Sequence, residues 1–402
     1  MPAAPLRRNR EFVALWVGQA LSTLGISISS FAYPLVVLDA TGSPARAGLV
    51  GSVLAGTTFF LRLPAGALVD RWDRKRILIA CDLGRALNSA VLAATLALGH
   101  FWLAQILLVA LVEGTLGVLY GPAEAIAVRR VVPPAQLREA IALNQSRGAV
   151  PGLVGPPLGG VLLTAGRALP FVADAVSYLA ALAGVLLVRS PLQDPPTDEQ
   201  LRRRLVAEVT DGLRWIWGRR FLRALLLWFT GAGVVFSSIG LVTLVLARDR
   251  GASTTELGVM FMITAGGGVV GALIAPRVLR RVSPRRLVVL FAWVAVGATF
   301  LLLPAHSPYL IGVLGAVAFL LVPSLNALAF SLVLEHAPGH LQGRATSAAI
   351  QIASLAMPIG PALAGLLLGA FGPSRAILVY GSAYVALALV ATVTRALRDE
   401  ID

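Results

Sequence analysis

The chain has 402 residues, of which 57% are hydrophobic and only 13% are charged. So few polar side chains cannot cover the surface of a water-soluble protein, so the composition excludes that class and predicts a protein surrounded by lipid. The net charge of +14 would indicate a nucleic-acid partner in a soluble protein, and the positions of the basic residues decide between the two interpretations.

Long apolar runs divide the chain into twelve predicted transmembrane helices. A hydrocarbon core of roughly 30 Å takes about 20 apolar residues per helix, and each run is of that order. The predicted spans are 12–38, 45–69, 76–98, 101–128, 139–165, 169–189, 222–247, 255–279, 286–304, 308–334, 343–371 and 374–395. The expected fold class is therefore an all-α membrane protein, with the lipid bilayer as its first partner.

The basic residues alternate between the two sides of these spans. Twenty-six lie in segments that would face one side, and five lie in segments that would face the other: Arg46, Arg167, Arg248, Arg250 and Arg375. By the positive-inside rule, both termini of this multi-pass chain are expected in the cytoplasm, and the membrane is expected to be the cell inner (plasma) membrane. This alternation makes nucleic-acid binding the weaker interpretation, and we expect no nucleic-acid partner.

The chain offers little for metal binding or for nucleotide hydrolysis. Its single cysteine, Cys81, excludes an intrachain disulfide and a cysteine-based metal cluster. Its four histidines, at positions 100, 306, 336 and 340, fall at predicted loops or helix ends. A Gly-x4-Gly-Lys-Ser/Thr phosphate loop is absent from the sequence, which argues against an ATP-driven pump. We therefore expect no metal and no cofactor.

The sequence is organised as two halves joined by a hydrophilic linker. The expected division is a six-helix bundle at 1–189, a cytoplasmic linker at 190–220 and a second six-helix bundle at 221–402. Apolar residues recur every three or four positions from Leu201 to Ile216, which predicts an amphipathic helix at the membrane surface. Residues 140–156 echo residues 345–361, and each segment ends in Gly-Pro, so the halves form an internal repeat.

The segment between the second and third spans carries the most specific motif, with Gly66, Asp70 and Arg71, then Arg74 and Lys75. It resembles the loop signature of the major facilitator superfamily. The resemblance implies two pseudo-symmetric six-helix bundles and a gating role for this loop. Gly66 would permit close helix contact, and Asp70 would pair with an arginine or a helix N-terminus. The alternative is that Arg74 and Lys75 only set topology. The second-half counterpart has Pro276 and Arg280 in place of Gly66 and Asp70, so a gate there is not expected.

The fifth span contains Gly155, Pro156, Gly159 and Gly160, which is similar to the Gly-Pro-x-x-Gly-Gly signature of exporters in the same superfamily. Gly155 and Gly159 would form a face for tight helix packing, and Pro156 with its neighbour Pro157 would bend the helix. A kink of purely structural importance is the alternative.

Further features resemble the branch of macrolide-efflux proteins and the enterobactin exporter. They include Gln19 in the first span, Asp82 and Arg85 in the third, and Asp174 in the sixth. The resemblance implies secondary active export, most simply proton-linked, of amphiphilic small molecules of the drug, macrolide or siderophore class. The arginine that classical proton-linked exporters carry in the fourth span is replaced by Ala110, which weakens that route to proton coupling.

Ionisable side chains inside spans are costly and therefore functional candidates. Glu113, near the middle of the fourth span, is the first choice for proton coupling or for binding a cationic substrate, because desolvation favours the neutral form of a carboxyl. A buried ion pair with Arg62 or Arg147 is the equal alternative, and Arg147 is also a candidate for an anionic substrate group. Glu124, near the cytoplasmic mouth of the same span, is expected to be structural. Asp82 and Arg85 are expected to pair with each other or with the Asp70 loop, and Asp174 is expected at an outer lip.

Polar and aromatic residues on other spans complete the expected cavity. They are Gln19, Ser27, Tyr33, Tyr120, Phe236, Ser237, Asn326 and Gln351. So sparse a polar lining suits amphiphilic solutes better than sugars. The expected function is export by a monomer that exchanges protons for a small-molecule substrate across the membrane by alternating access. An importer on the same fold is the alternative, with a membrane enzyme or a non-transporting sensor as the remote one, so no enzyme activity is expected.

Overall fold

α-Helices form the part of the protein that a computed structural model describes, residues 5–192, 213–339 and 341–393, and these ranges contain no β-strand. The helices are α1 (Arg10–Thr41), α2 (Pro44–Arg71), α3 (Arg74–Ala97), α4 (Leu103–Val131), α5 (Leu137–Ser146), α6 (Ala149–Ala165), α7 (Leu169–Leu186), α8 (Arg220–Asp249), α9 (Thr254–Arg281), α10 (Pro284–Leu301), α11 (Pro308–Phe319), α12 (Val322–His336), α13 (Gln342–Ser354) and α14 (Ala356–Val393). Residues 213–217 are also helical, and the rest of the expected amphipathic helix lies outside the described residues.

These helices supply the twelve predicted spans. Within the described ranges, ten helical stretches are long and apolar enough to cross a membrane, and the last of them, Gln342–Val393, has 52 residues. This stretch covers two spans, because Gly372 inside α14 leaves the helical conformation with a φ of 75°. α2, with Arg46 and Arg62 among its 28 residues, completes the twelve. The expected all-α membrane fold is confirmed.

Three spans are interrupted, each at a position set by a proline. Proline has no N–H, and its ring clashes with the carbonyl four residues earlier, so a helix breaks most readily there. The prolines and the residues four positions before them are Pro151 and Arg147, Pro323 and Phe319, and Pro358 and Ser354. The first of these earlier residues lies in the turn between α5 and α6, and the other two end α11 and α13.

In the fifth span the interruption affects the hydrogen bonds and not the helical conformation. Arg147 and Gly148 keep helical dihedrals, with φ of −56° and −74°, while Pro151 cannot donate to the carbonyl of Arg147. α6 continues through Pro156 and Pro157, and the bend expected there stays a prediction.

Two compact units divide the chain, one formed by Met1–Ala40 and Val53–Arg203 and the other by Thr41–Ser52 and Arg204–Asp402. In the first unit, α3 packs against α4 and α7, and α6 packs against α7. In the second unit, α14 packs against α8 and α10, and α9 packs against α11 and α12.

Each unit contains the same close helix contact. A Cβ atom at Gly155 of α6 would overlap the side chain of Ser27 in α1, and one at Gly360 of α14 would overlap Ser237 in α8. Gly159, one turn after Gly155, is also tightly packed against α1. Only glycine lets the backbones approach this closely. Ser27 and Ser237, which the sequence suggested for a central cavity, contact a neighbouring helix inside their own units.

Candidate functional site

The signature segment from Gly66 to Lys75 covers the end of α2, a two-residue turn and the start of α3. Its basic residues hold the chain that leaves α7. Nη1 of the buried Arg74 donates to the carbonyl oxygen of Leu192 at 3.3 Å, and Nζ of Lys75 donates to that of Val188 at 2.6 Å. Arg74 and Lys75 thus fix the exit of the sixth span, in addition to any effect on topology.

The structure changes one expectation for this segment and leaves another open. No heavy atom of the described residues lies within 4 Å of a Cβ built at Gly66, so the close helix contact expected there is wrong. Arg71 is exposed, and the side chain of Asp70 lies outside what the structure describes. The gating pair of Asp70 therefore stays a prediction.

A buried ion pair between Arg85 of α3 and Glu113 of α4 lies at the centre of the first unit. Arg85 Nε donates to Glu113 Oε1 at 2.8 Å, and Nη2 of the same guanidinium donates to the same oxygen. Tyr178 of α7 donates its hydroxyl to that oxygen at 2.5 Å, and its ring stacks under the guanidinium at 4.5 Å. The partner of Glu113 is therefore Arg85, and not Arg62 or Arg147 as the sequence suggested.

Asp174 lies inside the first unit, close to this pair. Its side chain is 1% exposed, and Oδ2 accepts a hydrogen bond from Ser89 of α3 at 2.9 Å. Oδ1 points at Gly25 of α1, where an added Cβ would lie 2.9 Å from it. The expectation that Asp174 is a residue of an outer lip is wrong, because the position five residues into α7 faces α1 and α3.

A second, partly buried ion pair joins Arg147 to Glu124. Arg147 Nη1 donates to Glu124 Oε1 at 2.5 Å, and Nη2 donates to Oε2 at 3.3 Å. This two-pronged geometry suits guanidinium and carboxylate and occupies both oxygens of Glu124. Arg147 is therefore committed to Glu124 in this structure, in the turn that separates α5 from α6.

Asp82 of α3 is fully buried. Neither of its carboxyl oxygens has a hydrogen-bond partner in the described part of the chain. The expected pair with Arg85 is not formed, because the guanidinium is turned to Glu113 on the neighbouring helix.

A cavity of about 260 Å³ opens beside the Arg85–Glu113 pair. Polar groups from α1 and α2 share its lining with apolar side chains and glycines: Ile26, Ser29, Ser30, Tyr33, Leu54, Thr58, Arg85, Glu113, Gly114, Gly117 and Val118. Within the described residues, Glu113 Oε2 and the hydroxyl of Tyr33 have no hydrogen-bond partner. The cavity thus combines the carboxylate of Glu113 with a mostly apolar wall, at a size that fits part of a drug-like molecule.

The other residues expected in a cavity lie elsewhere. Gln19 of α1 and Tyr120 of α4 are buried, whereas Arg62 of α2 and Asn326 of α12 are exposed. Gly160 is buried beside Gly159 in α6. Of the residues expected to bind, couple or line a cavity, Glu113 and Tyr33 line this one, together with Arg85 from the group expected to gate.

Tyr178 and Ser89, which complete the cluster, were not expected from the sequence. Each lies four residues after an expected site residue, Tyr178 after Asp174 and Ser89 after Arg85. Residues four apart share a helix face, so this spacing was the available signal.

Comparison with known proteins identifies the class of protein. The sequence pattern of the Major Facilitator Superfamily matches residues 15–357 and again residues 237–400, so the chain belongs to this superfamily of transporters. It is a transporter and not an enzyme.

Two groups of characterised relatives match the chain from end to end. The multidrug efflux pump Tap of Mycobacterium tuberculosis is 28% identical over 402 residues, which cover 98% of this chain and 95% of that protein. Macrolide efflux protein A of Streptococcus pyogenes is 25% identical over 394 residues, which cover 96% of each chain. The expected resemblance to the macrolide-efflux branch is confirmed.

Solved structures of transporters share the fold. The nucleoside transporter NupG superposes with a TM-score of 0.78 at 14% identity, over 95% of this chain and 98% of that one. A bacterial homologue of the human lysosomal transporter Spinster gives a TM-score of 0.73 at 16% identity, over 98% of each chain. At these identities the likeness supports the fold alone.

Proposed function

We propose that this protein is a secondary active exporter that expels amphiphilic small molecules, of the drug, macrolide or siderophore class, in exchange for protons. The observation that carries the proposal is the end-to-end match to two kinds of efflux protein, Tap and macrolide efflux protein A. A match over nearly the full length of both chains retains every helix that alternating access requires.

We propose that Glu113 either couples proton exchange to transport or binds a cationic substrate. Glu113 lines a cavity whose remaining wall is largely apolar, and such a wall suits the hydrophobic part of an amphiphile. Its Oε2 is buried and has no hydrogen-bond partner among the described residues. Oε1 is already neutralised by Arg85, so a cation or a proton that reaches Oε2 competes with the guanidinium. The local chemistry thus makes Glu113 a group at which a positive charge from outside competes with Arg85.

The proposed placement is the cell inner membrane with both termini in the cytoplasm. The uneven distribution of arginines supports this orientation. We propose two bundles, 1–189 and 221–402, with a linker at 190–220, of which residues 193–212 lie outside the described structure. The proposed gate is the segment from Gly66 to Lys75, and the working unit is a monomer.

The test is accumulation of fluorescent and antibiotic substrates in a drug-sensitive bacterial strain that expresses the chain. The panel contains ethidium, macrolides and siderophores, measured with and without a protonophore. Export predicts lower accumulation and higher resistance on expression, with the difference lost when the proton gradient is collapsed. Higher accumulation would indicate import and would contradict the proposal. Export that persists without a proton gradient would contradict the coupling.

A further inference from the structure

Asp82 lies buried near the ion pair of Arg85 and Glu113 but takes no part in it. Its carboxyl is fully buried, and neither oxygen has a hydrogen-bond partner among the described residues. The nearest cation on its own helix, Arg85, is bound to Glu113. An ionised carboxylate is far more costly in such surroundings than a protonated one.

We propose that Asp82 holds a proton while Arg85 binds Glu113, and that Arg85 exchanges between these two carboxyls. A cation that reaches Glu113 then displaces the guanidinium to Asp82, which releases its proton. The cation step rests on the proposed export of cationic amphiphiles, whereas the exchange itself is a property of the protein without substrate.

The positions on the helices allow this exchange. Asp82 and Arg85 are three residues apart on α3, a spacing that brings their side chains together on one helix face. A Cβ at Gly117 of α4 would lie 3.4 Å from Nη2 of Arg85, so glycine at this position leaves room beside the guanidinium. The charge of Arg85 already acts on Asp82 in this structure, so the proposed exchange requires only a change of the Arg85 side chain.

The groups around Asp82 and Glu113 leave Arg85 as the guanidinium that the two carboxyls share. Asp82 shares its surroundings with Cys81 of its own helix and with Tyr120 and Glu124 of α4, of which Glu124 is already paired with Arg147. Glu113 faces three groups besides Arg85: Tyr178, Asp174 and Tyr33. Among the groups named here, Arg85 is the positive charge that lies near both carboxyls, since Arg147 is paired with Glu124.

The charges balance in this exchange. Before substrate binds, the site contains neutral Asp82 and the neutral pair of Arg85 with Glu113. After a monovalent cation binds, it contains the pair of the cation with Glu113 and the pair of Arg85 with ionised Asp82. One proton leaves for each cation that enters, so the buried site never gains net charge.

The substrate-free test is infrared spectroscopy of the purified full chain in lipid at neutral pH. The wild-type protein should show the C=O stretch of a protonated carboxylic acid that Asp82→Asn lacks. Glu113→Gln should lose the same band, because Arg85 then turns to Asp82 and ionises it. The control Asp249→Asn, which changes an exposed aspartate at the end of α8, should keep the band.

Two results would overturn the exchange. One is a wild-type spectrum that contains no band sensitive to Asp82→Asn, and the other is a Glu113→Gln spectrum that keeps the band unchanged. If Asp82→Asn is not recovered in folded form, the spectrum of Glu113→Gln decides alone.

The substrate test adds ethidium to the same samples. Binding to the wild type should remove the Asp82 band and release one proton per ethidium, measured with a pH dye in weak buffer. Binding to Asp82→Asn should release none. Binding to the wild type with no loss of the band would overturn the coupling step. Absence of ethidium export in cells would instead count against the proposed function, and the substrate-free spectra would still decide the exchange.

Discussion

Glu113 has one oxygen bound by Arg85 and Tyr178 and a second, buried oxygen without a hydrogen-bond partner in the described structure, and this asymmetry makes it the first residue to change. Glu113→Gln should abolish ethidium efflux driven by a proton gradient, because an amide neither exchanges a proton nor balances a cation. Expression should be retained, since Asp82 can accept the guanidinium that would otherwise be left unpaired. Efflux from vesicles with an imposed pH gradient measures the effect, with Asp249→Asn as the matched control. Undiminished efflux in Glu113→Gln would remove Glu113 from the mechanism.

A double-mutant cycle measures whether Asp82 and Glu113 share one partner. Each single change to the amide leaves Arg85 a carboxylate to pair with, whereas the double change removes both. The double variant should therefore lose more stability than the two single variants together, by about 2 kcal/mol of coupling. The midpoint of thermal unfolding in detergent, compared across the four proteins, reports this difference. Additive losses would show that the two carboxyls do not compete for Arg85.

At single residues, sequence reasoning identified the buried charges but not their pairs. Burial cost marked Glu113, Asp82, Arg85 and Asp174 as important, because charged residues are rare inside apolar helices. The pairs depend on how the helices are rotated about their axes, which one sequence does not reveal. Asp174 illustrates this, since its distance from the helix end suggested a lip and the rotation of α7 turned it inwards.

Among the helices, the close contact of α6 with α1 requires glycine at position 155, and this requirement can be tested. Gly155→Ala would place a methyl group on Ser27 and should cost about 2 kcal/mol of stability through overpacking. The control is Gly152→Ala in the same helix, where an added Cβ meets no described atom within 4 Å. That change should be neutral or stabilising, because alanine favours helix more than glycine does. Thermal unfolding of the purified variants measures both, and equal midpoints would contradict the packing argument.

Arg250 binds the carbonyl oxygens at the end of α10, and the stability that it contributes there can also be tested. Its guanidinium donates to the carbonyl oxygens of Leu302 at 3.1 Å and Leu303 at 2.6 Å, and also to that of Ala305. Carbonyls at a helix C-terminus lack intrahelical donors, so Arg250→Ala should cost about 2 kcal/mol. Arg46→Ala, which removes an exposed arginine, is the control for loss of charge. A thermal midpoint of Arg250→Ala equal to that of Arg46→Ala would show that these bonds add no stability.

For whole helices, the sequence predicted the spans, which depend only on residues close together in the chain. The spans follow from apolar length. The interruptions before Pro151, Pro323 and Pro358 were not expected from the sequence, although each lies at the carbonyl four residues before a proline. The fifth span shows the limit, because three prolines compete there and only Pro151 ends a helix. Pro156 is tolerated inside α6, where neighbouring Gly155 fixes the packing against α1.

Across the whole chain, the two repeats share a scaffold but not its charges. Both halves place a Gly-Pro helix against a serine, at Gly155 with Ser27 and at Gly360 with Ser237. Yet each charged side chain that is fully or nearly buried in the described structure belongs to the first unit. We expect the coupling chemistry to be concentrated in residues 1–190, with the second unit supplying the matching scaffold.

The orientation of the whole chain follows from its arginines and can be read with single cysteines. Cys81 is buried, so the wild-type chain should not react with a membrane-impermeant maleimide. Trp72 and His100 are exposed at opposite ends of α3, and cysteine at either position adds one reactive thiol. His100→Cys should react in intact cells, and Trp72→Cys only in inside-out vesicles, because the arginine-rich turn faces the cytoplasm. The reverse pattern would show that arginine asymmetry does not set the topology, and it would also reverse the side from which Glu124 and Arg147 are approached.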